Sequence, residues 1–341
     1  MKFEQAVFDG IKQAIEEHSS MVITTHTNPD GDAVGSSLAL ATILRSLGKE
    51  ATVILPNDCP LYLKWISGYD SILLFDKHNE KSKEAIRKAD LIFCLDYNNL
   101  SRLEEMGEEI ANSSAPKILI DHHPYPTDGF LHSVHSIEVC STCELVFETI
   151  LACDYEKHMT KEIAEALYTG IITDTGGLQH NSSRPELYMS IAKLMSYGID
   201  KNFIHEKIFN VYSYDRMKLL GHILKDNFVF LPEYKSAYMY ITVKNQKQYN
   251  FQLGDSEGMV NMPLAANDIK FCALFTEYPN KMVKVSFRSK GDFPANEFSA
   301  KFFNGGGHRN AAGGRVFTSL KEALRIFEDG LPEFKQQLLE M

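Results

Sequence analysis

Acidic and imidazole side chains recur at four places in the first 174 residues of this chain. The candidate ligands are His26, Asp30, Asp32, Asp96, Asp121, His122, His123 and Asp174. Carboxylates that cluster without partners repel one another, and their pKa values rise. Bound divalent cations remove that repulsion, so the pattern predicts metal chemistry wherever the chain brings these side chains together.

The charges in this set match two divalent ions. The four acids outside the Asp121 triplet carry four negative charges, equal to the positive charge of two such ions. His26 and His122 make the ligand shell a mixture of carboxylate and imidazole, which suits manganese, with magnesium, cobalt or iron as alternatives. Two ions about 3.5–4 Å apart share a bridging water and clamp a phosphoryl group for in-line attack. The set therefore predicts phosphoester hydrolysis.

Each piece alone also has a purely structural explanation. A carboxylate after a strand is commonly a turn former, and a single histidine is commonly structural. Asp32 could simply cap a helix that starts at Ala33. The metal interpretation therefore depends on the whole set converging in one crevice.

Short apolar runs rich in β-formers precede three of the ligand groups. The strand candidates are MVITT (21–25), ATVIL (51–55), LIFCLD (91–96) and KILID (117–121). Helical patterns alternate with them, over AVGSSLALATILRSLG, which Gly48 closes, and around KSKEAIRKA. This rhythm predicts an α/β fold with a mostly parallel sheet and helices on both faces. Ligands bind at the carboxyl ends of such strands.

In the remainder of the chain, the predicted secondary structure changes twice, first to helices alone and then to strands. Helices are predicted at 142–152 and 160–171, and the pattern stays helical to residue 227. From residue 228 onwards, SAYMYITV, FCALFTEY and MVKVSFRS look like strands. We predict one domain at 1–195, a helical linker at 196–227 and a smaller α/β domain with a mixed sheet at 228–341. The active site is expected in a cleft between the domains.

A glycine-rich stretch near the C-terminus has anion-binding chemistry. Gly305, Gly306 and Gly307 let the backbone approach an anion closely, and His308 adds a side-chain donor. Arg288, on or just after a strand, can grip a phosphate with two hydrogen bonds. A tight turn with a surface histidine is the structural alternative. Further positive charge would come from Lys290, Lys301, Arg309 and Arg315.

Composition narrows the class of protein. The 341 residues are 44% hydrophobic with a net charge of −10, which argues against binding duplex nucleic acid through its phosphates. No apolar run approaches the ~18 residues of a membrane span, and the first residues lack a secretory signal. We expect a cytoplasmic protein with no membrane partner. Cys140 and Cys143 form a lone C-x-x-C, which leaves a redox pair open, although a helix start at Ser141 or Thr142 explains the stretch better.

Four stretches resemble the motifs of the DHH phosphoesterases. They are HTNPDGDAVGS, LDYNN, IDHHPYP and GIITDTGGL, in that order. FNGGGHRNAAGG is similar to the signature of the DHH-associated C-terminal domain. The layout looks most like the bacterial nanoRNase and phosphoadenosine-phosphate phosphatase branch.

The resemblance implies a set of metal ligands. The first metal would take His26 and Asp30, the second Asp32, His122 and Asp174, with Asp96 as the bridge. Both ions are expected to be manganese, with magnesium, cobalt or iron as alternatives.

The resemblance also implies roles around the phosphate. Asp121 would fix ring orientation near the ligating histidine, and His123 would face the phosphate as a donor or general acid. Asn28 would shape the first loop and hydrogen-bond the phosphate. The step from Gly35 to Ser36 would open a helix whose N-terminus favours an anion. Arg288, His308 and the three glycines would bind substrate.

The expected reaction releases mononucleotides from very short oligonucleotides and AMP from phosphoadenosine phosphate. Alternatives with the same chemistry are hydrolysis of cyclic or linear dinucleotides, or of polyphosphate. A nucleotide sensor without activity is an alternative of another class. The glycine-rich signature argues against the family II pyrophosphatases, and 341 residues leave little room for the extra domains of RecJ exonucleases. The oligomeric state stays open, with a homodimer among the alternatives.

Overall fold

The computed structural model describes residues 3–252 and 254–340. The chain divides into two compact units, Met1–Val211 and Tyr212–Met341. The division falls inside segment 196–227, which was expected to be a helical linker. Across the described residues, no helix combines the length and the apolar character that crossing a membrane requires.

The first unit alternates strands and helices, as its sequence predicts. Its strands are β1 (Ser20–Thr24), β2 (Glu50–Leu55), β3 (Leu73–Leu74), β4 (Leu91–Leu95), β5 (Lys117–Asp121) and β6 (His132–His135). Its helices are α1 (Gln5–Glu17), α2 (Gly31–Ser46), α3 (Asn79–Lys88), α4 (Glu105–Asn112), α5 (Thr142–Ala152), α6 (Lys161–Asp174), α7 (Pro185–Ser196) and α8 (Lys201–Phe209).

These six strands form one parallel sheet in the order β3-β2-β1-β4-β5-β6. Side chains alternate across a strand, so β1 serves both faces. Met21 and Ile23 join the larger core with α2, α5 and α6, whereas Val22 joins a second core with α3 and α4. The predicted parallel sheet with helices on both faces is confirmed. Because β1, β4 and β5 are neighbours, their carboxyl ends lie side by side.

The second unit is a mixed sheet with helices. Its helices are α9 (Tyr214–Asp226), α10 (Val243–Gln248), α11 (Ala295–Phe303), α12 (Leu320–Gly330) and α13 (Lys335–Leu339). Its strands are β7 (Phe228–Leu231), β8 (Ser236–Ile241), β9 (Phe271–Glu277), β10 (Met282–Ser289), β11 (Gly306–His308) and β12 (Ala311–Phe317). The order is β11-β12-β10-β9-β8-β7, and only β8 and β9 run parallel among its described strand pairs. The predicted mixed sheet is confirmed.

Candidate metal centre

Three neighbouring strands of the first unit carry candidate ligands at their carboxyl ends. His26 lies two residues beyond β1, Asp96 directly follows β4, and Asp121 is the last residue of β5. The backbone of Asp96 has φ 62°, an uncommon left-handed conformation for a residue with a Cβ. Its N–H donates to the carbonyl of Ile120 at 3.1 Å. That bond holds the turn after β4 against β5.

Asp30, rather than Asp32, is the N-cap of α2. Its Oδ1 accepts hydrogen bonds from the backbone N–H of Asp32 at 3.0 Å and of Ala33 at 3.1 Å. The structural alternative, in which Asp32 caps a helix from Ala33, is therefore wrong. Both capping bonds use Oδ1, and Oδ2 takes no part in the cap.

The helix begins at Gly31, so the expectation that Gly35 and Ser36 open it is also wrong. Gly35 lies one turn inside α2. A Cβ on Gly35 would come within 2.4 Å of the carbonyl oxygen of Ala166 in α6. Glycine at this position lets the backbones of α2 and α6 approach, which in turn places the end of α6 beside the ligand loop.

Asp32 is held by the N-terminus of α5. Its two carboxylate oxygens accept from the backbone N–H of Thr142 at 2.6 Å and of Cys143 at 2.8 Å. The hydroxyl of Thr142 donates to Asp96 Oδ1 at 2.9 Å. The positive end of a helix dipole stabilises a carboxylate in this place. One buried residue, Thr142, therefore orients two of the predicted ligands.

Asp174 reaches the same place from the C-terminal end of α6. His122 Nε2 lies 3.7 Å from Asp174 Oδ2, 3.8 Å from Asp32 Oδ2 and 3.5 Å from Asp96 Oδ1. On the other side of Asp96, His26 Nε2 lies 3.3 Å from Oδ2. Asp96 thus stands between two imidazoles and offers a different oxygen to each.

The side chains form two groups that could each hold an ion. His26, Asp30 and Asp96 offer ligand atoms within 4.8 Å of one another, and so do Asp32, His122 and Asp174. Atoms bound at about 2.0–2.2 Å to one ion lie about 3–3.5 Å apart, near the imidazole–carboxylate distances given above. Those distances are long for hydrogen bonds but suit two ligands of one ion. The donor set therefore fits divalent ions.

Asp121 was expected to fix ring orientation near the ligating histidine, but the ring that it fixes is not that of His122. Its Oδ1 lies 2.8 Å from Nδ1 of His123, so the ring it holds is the other histidine of the triplet. Both residues are buried, and His135 Nε2 contacts the carbonyl of His123 at 2.6 Å. The position of His123 is therefore fixed through its side chain and its backbone.

Asn28 is exposed and has φ 57°. Its N–H donates to Asn57 Oδ1 at 2.7 Å, and Asn57 Nδ2 donates to Asn28 Oδ1 at 3.3 Å. This paired contact fixes the left-handed turn between His26 and Asp30. A role in binding phosphate stays a prediction.

In the second unit the glycine-rich stretch is an edge strand, so the turn alternative is wrong. Gly306–His308 forms β11 and pairs with β12. A Cβ on Gly305 would come within 2.0 Å of the carbonyl oxygen of Gly313, so only glycine fits there. Arg288 on β10 and His308 on β11 both pair with Ala311 on β12. They therefore flank one position on the same face of this sheet.

Comparison with known proteins places both units in one family. The model of the DHH family, N-terminal domain, matches residues 20–171, and that of the DHHA1 domain matches residues 234–337. The chain is 30% identical to the bifunctional oligoribonuclease and PAP phosphatase NrnA of Thermus thermophilus, over 85% of this chain and 82% of that protein. The chain belongs to the DHH phosphoesterase family.

Two further relatives span nearly the whole chain. The bifunctional oligoribonuclease and PAP phosphatase NrnA of Bacillus subtilis is 25% identical over 93% of this chain and 95% of that protein. The crystal structure of an exopolyphosphatase-related protein from Bacteroides fragilis superposes with a TM-score of 0.94 at 42% identity, covering 98% of each chain. The matches to both proteins therefore extend over most of each of the two domains of this chain.

The electrostatics of the DHH domain follow from burial and from the histidines. Burial raises the pKa of Asp32 well above its usual range, and the charges of Asp96 and Asp174 raise it further. Burial acts in the same direction on Asp96, but the attraction of His122 and His26 outweighs it and holds the pKa of Asp96 well below the usual range. Although burial opposes it, attraction to Asp174 and Asp96 raises the pKa of His122 to about 10.

His123 differs from His122. Burial lowers the pKa of His123 to about 2, and the positive charge of Arg102 acts in the same direction against the attraction of Asp96. Burial also raises the pKa of Asp121 to about 6, with Asp96 adding to the effect. A neutral His123 that accepts a hydrogen bond at Nδ1 from protonated Asp121 satisfies both shifts. Its Nε2 is then the ring nitrogen that faces away from Asp121.

Sequence reasoning missed Thr142 as a partner of the ligands. The signal was present, because STCE predicted a helix start, and Ser141 is the N-cap, whose hydroxyl accepts from the N–H of Glu144 at 3.2 Å. The sequence did not show which residues lie beside that helix end in the folded chain. The redox alternative for Cys140 and Cys143 has no support here, since burial raises the pKa of both thiols and keeps them protonated.

Proposed function

We propose that this DHH protein is a phosphoesterase that uses two metal ions to hydrolyse short oligonucleotides to mononucleotides and phosphoadenosine phosphate to AMP. The observation that carries the proposal is the position of Asp96 between the two ligand groups. One carboxylate that faces two imidazoles from two oxygens suits a pair of bridged ions. The curated relatives named above supply the substrate class.

The proposal assigns a separate set of ligands to each ion. His26 and Asp30 would hold one ion, Asp32, His122 and Asp174 would hold the other, and Asp96 would offer an oxygen to each. We name manganese first, because mixed carboxylate and imidazole ligands suit it, with magnesium, cobalt or iron as alternatives. When bound, such a pair supplies an activated water and neutralises the phosphoryl group.

The chain itself positions the substrate and its protons. His123, oriented by Asp121, hydrogen-bonds the phosphate through Nε2–H, gives that proton to the leaving oxygen and takes up the proton of Asp121 at Nδ1. In the DHHA1 domain, Arg288 and His308 bind a phosphate of the substrate, and Gly306 lets it approach the backbone. These roles are part of the proposal. In these roles, the neutral His123 transfers the proton and the permanently charged Arg288 binds the anion.

The proposal includes a cytoplasmic location. All six cysteines are buried and unpaired. Reduced thiols in this number are typical of proteins in a reducing compartment.

Hydrolysis of a dinucleotide and of phosphoadenosine phosphate by the purified chain, with manganese and with EDTA, tests the proposal. We expect turnover of both substrates with manganese, and none with EDTA or after Asp96→Ala. The relative from Bacteroides fragilis is called exopolyphosphatase-related, so polyphosphate belongs in the same panel as the second candidate substrate. Turnover of polyphosphate alone would overturn the nucleotide assignment. Full activity of Asp96→Ala would overturn the use of two ions.

A further inference from the structure

A row of positive side chains continues along the DHHA1 sheet beyond Arg288. In the antiparallel pair of β10 and β12, Lys284 lies opposite Arg315, Ser286 opposite Gly313, and Arg288 opposite Ala311. Residues two apart on a strand share a face, so all six positions belong to one face. The alternate β10 residues 283, 285 and 287 are buried in the core on the other face.

Lys284 and Arg315 are both exposed and stand directly opposite each other. Like charges in a cross-strand pair are destabilising, because their Cβ atoms are only about 4.5–5.5 Å apart. Glu257 attracts Lys284 and offsets part of that repulsion. Arg288 lies in the same row, so three cationic side chains share this face of the sheet. Such an arrangement favours an anion.

The floor between the two ends of the row is almost without side chains. Gly313 lies opposite Ser286 and also pairs with Gly306 on the edge strand. A Cβ on Gly306 would contact nothing within 4 Å, and one on Gly313 would contact only the carbonyl oxygen of Val285, at 3.6 Å. Bulkier residues would therefore fit, yet the positions carry glycine. The result is a shallow trough with cations at both ends.

We propose that Lys284 and Arg315 form a second phosphate site, at the opposite end of this trough from Arg288 and His308. Lys284 and Arg288 are four positions apart on the strand, which corresponds to about 13 Å between their Cα atoms. Long cationic side chains that lean inwards from that spacing suit two phosphates with a nucleoside between them. The ligand class is thus a short oligonucleotide or nucleotide with a second phosphate. This choice of ligand rests on the proposed function.

Binding without metal tests this site separately from catalysis. The full-length chain is titrated calorimetrically in EDTA with the dinucleotides ApA and pApA, which differ by one terminal phosphate. We expect the wild type to bind pApA about tenfold more tightly, and the double variant Lys284→Ala/Arg315→Ala to lose that preference while its affinity for ApA stays within about twofold. Lys284→Arg, which keeps the charge, should retain the preference.

Lys321→Ala is the matched control, because Lys321 is an exposed lysine on α12, a helix that packs against the opposite face of the sheet. It should bind both dinucleotides as the wild type does. Equal affinity of the wild type for ApA and pApA, or equal losses for both in the double variant, would overturn the second phosphate site. A protein that shows the expected binding but hydrolyses neither dinucleotide with manganese would overturn the proposed function and leave this site intact.

Discussion

The proposed metal centre of the DHH domain and the proposed phosphate-binding face of the DHHA1 domain handle charge in opposite ways. In the DHH domain, Asp32 and Asp96 are almost fully buried, and helix α5 holds both through hydrogen bonds. On the DHHA1 sheet, Lys284 and Arg315 are exposed and lie opposite each other on neighbouring strands. We infer that the metal centre, which we call the rigid region, suits ions of fixed size. The face of the DHHA1 sheet, which we call the adaptable region, suits flexible nucleotides.

The largest expected effect lies at the shared carboxylate of the rigid region. Asp96→Asn keeps the size of the side chain but removes its charge, so we expect kcat to fall by about 10³-fold or more. Steady-state hydrolysis of a dinucleotide with manganese measures this loss. Asp70→Asn, a change at an exposed acid of the same domain, is the control and should retain activity. A fall in kcat of less than about tenfold for Asp96→Asn would show that the charge of Asp96 is not essential for activity, and would contradict the contrast between the two regions.

Thr142 tests whether hydrogen bonds to the ligands matter. Thr142→Val removes the hydroxyl that donates to Asp96 but keeps the shape of the side chain, so metal affinity should fall about 10–100-fold. Thr142→Ser restores the donor and should restore affinity. Titration calorimetry with manganese gives both values. Equal affinity in the valine and serine variants would assign Thr142 a packing role only.

Arg288 gives the complementary test on the adaptable region. Arg288→Ala should raise KM for a dinucleotide about tenfold or more, because a charged hydrogen bond to phosphate is lost, and should leave manganese affinity unchanged. The matched control is Arg325→Ala, at an exposed arginine of α12. If Arg288→Ala weakened manganese binding as much as substrate binding, the division of work between the two domains would fail.

The smallest effect concerns stability near the first ligand loop. Lys64, Tyr69 and Lys77 bond to Asp58, and together they outweigh burial and hold its pKa well below the usual range. A carboxyl with a depressed pKa in the folded state stabilises the fold above its unfolded pKa of about 4, and this contribution is lost as the pH falls further.

Asp58→Asn should therefore lower the free energy of unfolding by about 1 kcal/mol at pH 7, after allowance for screening at this partly exposed site. The difference from the wild type should shrink as the pH falls below about 4. Urea unfolding at several pH values measures it. A difference that does not change with pH would show that the charge of Asp58 does not contribute to stability.

The strands of the DHH domain were predictable because each is a short apolar run that turn residues end. MVITT, LIFCLD and KILID all form parallel strands, and their last residues lie where the ligands are needed. The role of Asp30 as the N-cap was not predictable, since both Asp30 and Asp32 precede the same helix. The N-terminus of α5 donates to both oxygens of Asp32, and Asp30 is the residue that caps α2. The contact with α5 comes from a distant part of the chain, so the sequence did not show it.

The same limit explains the other corrections. Gly35 looked like a phosphate-binding step, but the close approach of α6 requires it. Asp121 was expected to orient His122, yet its carboxylate meets His123, since the ring that turns towards it depends on the path of the chain after β5. Sequence spacing brings residues into one loop, whereas side-chain direction depends on neighbours that lie far away in the chain.

The most direct measurement is a crystal structure of the full-length chain grown with manganese, with anomalous scattering used to locate the ions. We expect two anomalous peaks about 3.5–4 Å apart, one on each side of Asp96, with His26 at one and His122 at the other. A single peak that takes ligands from both groups, or no peak at Asp96 under conditions in which the chain is active, would contradict the two-metal centre.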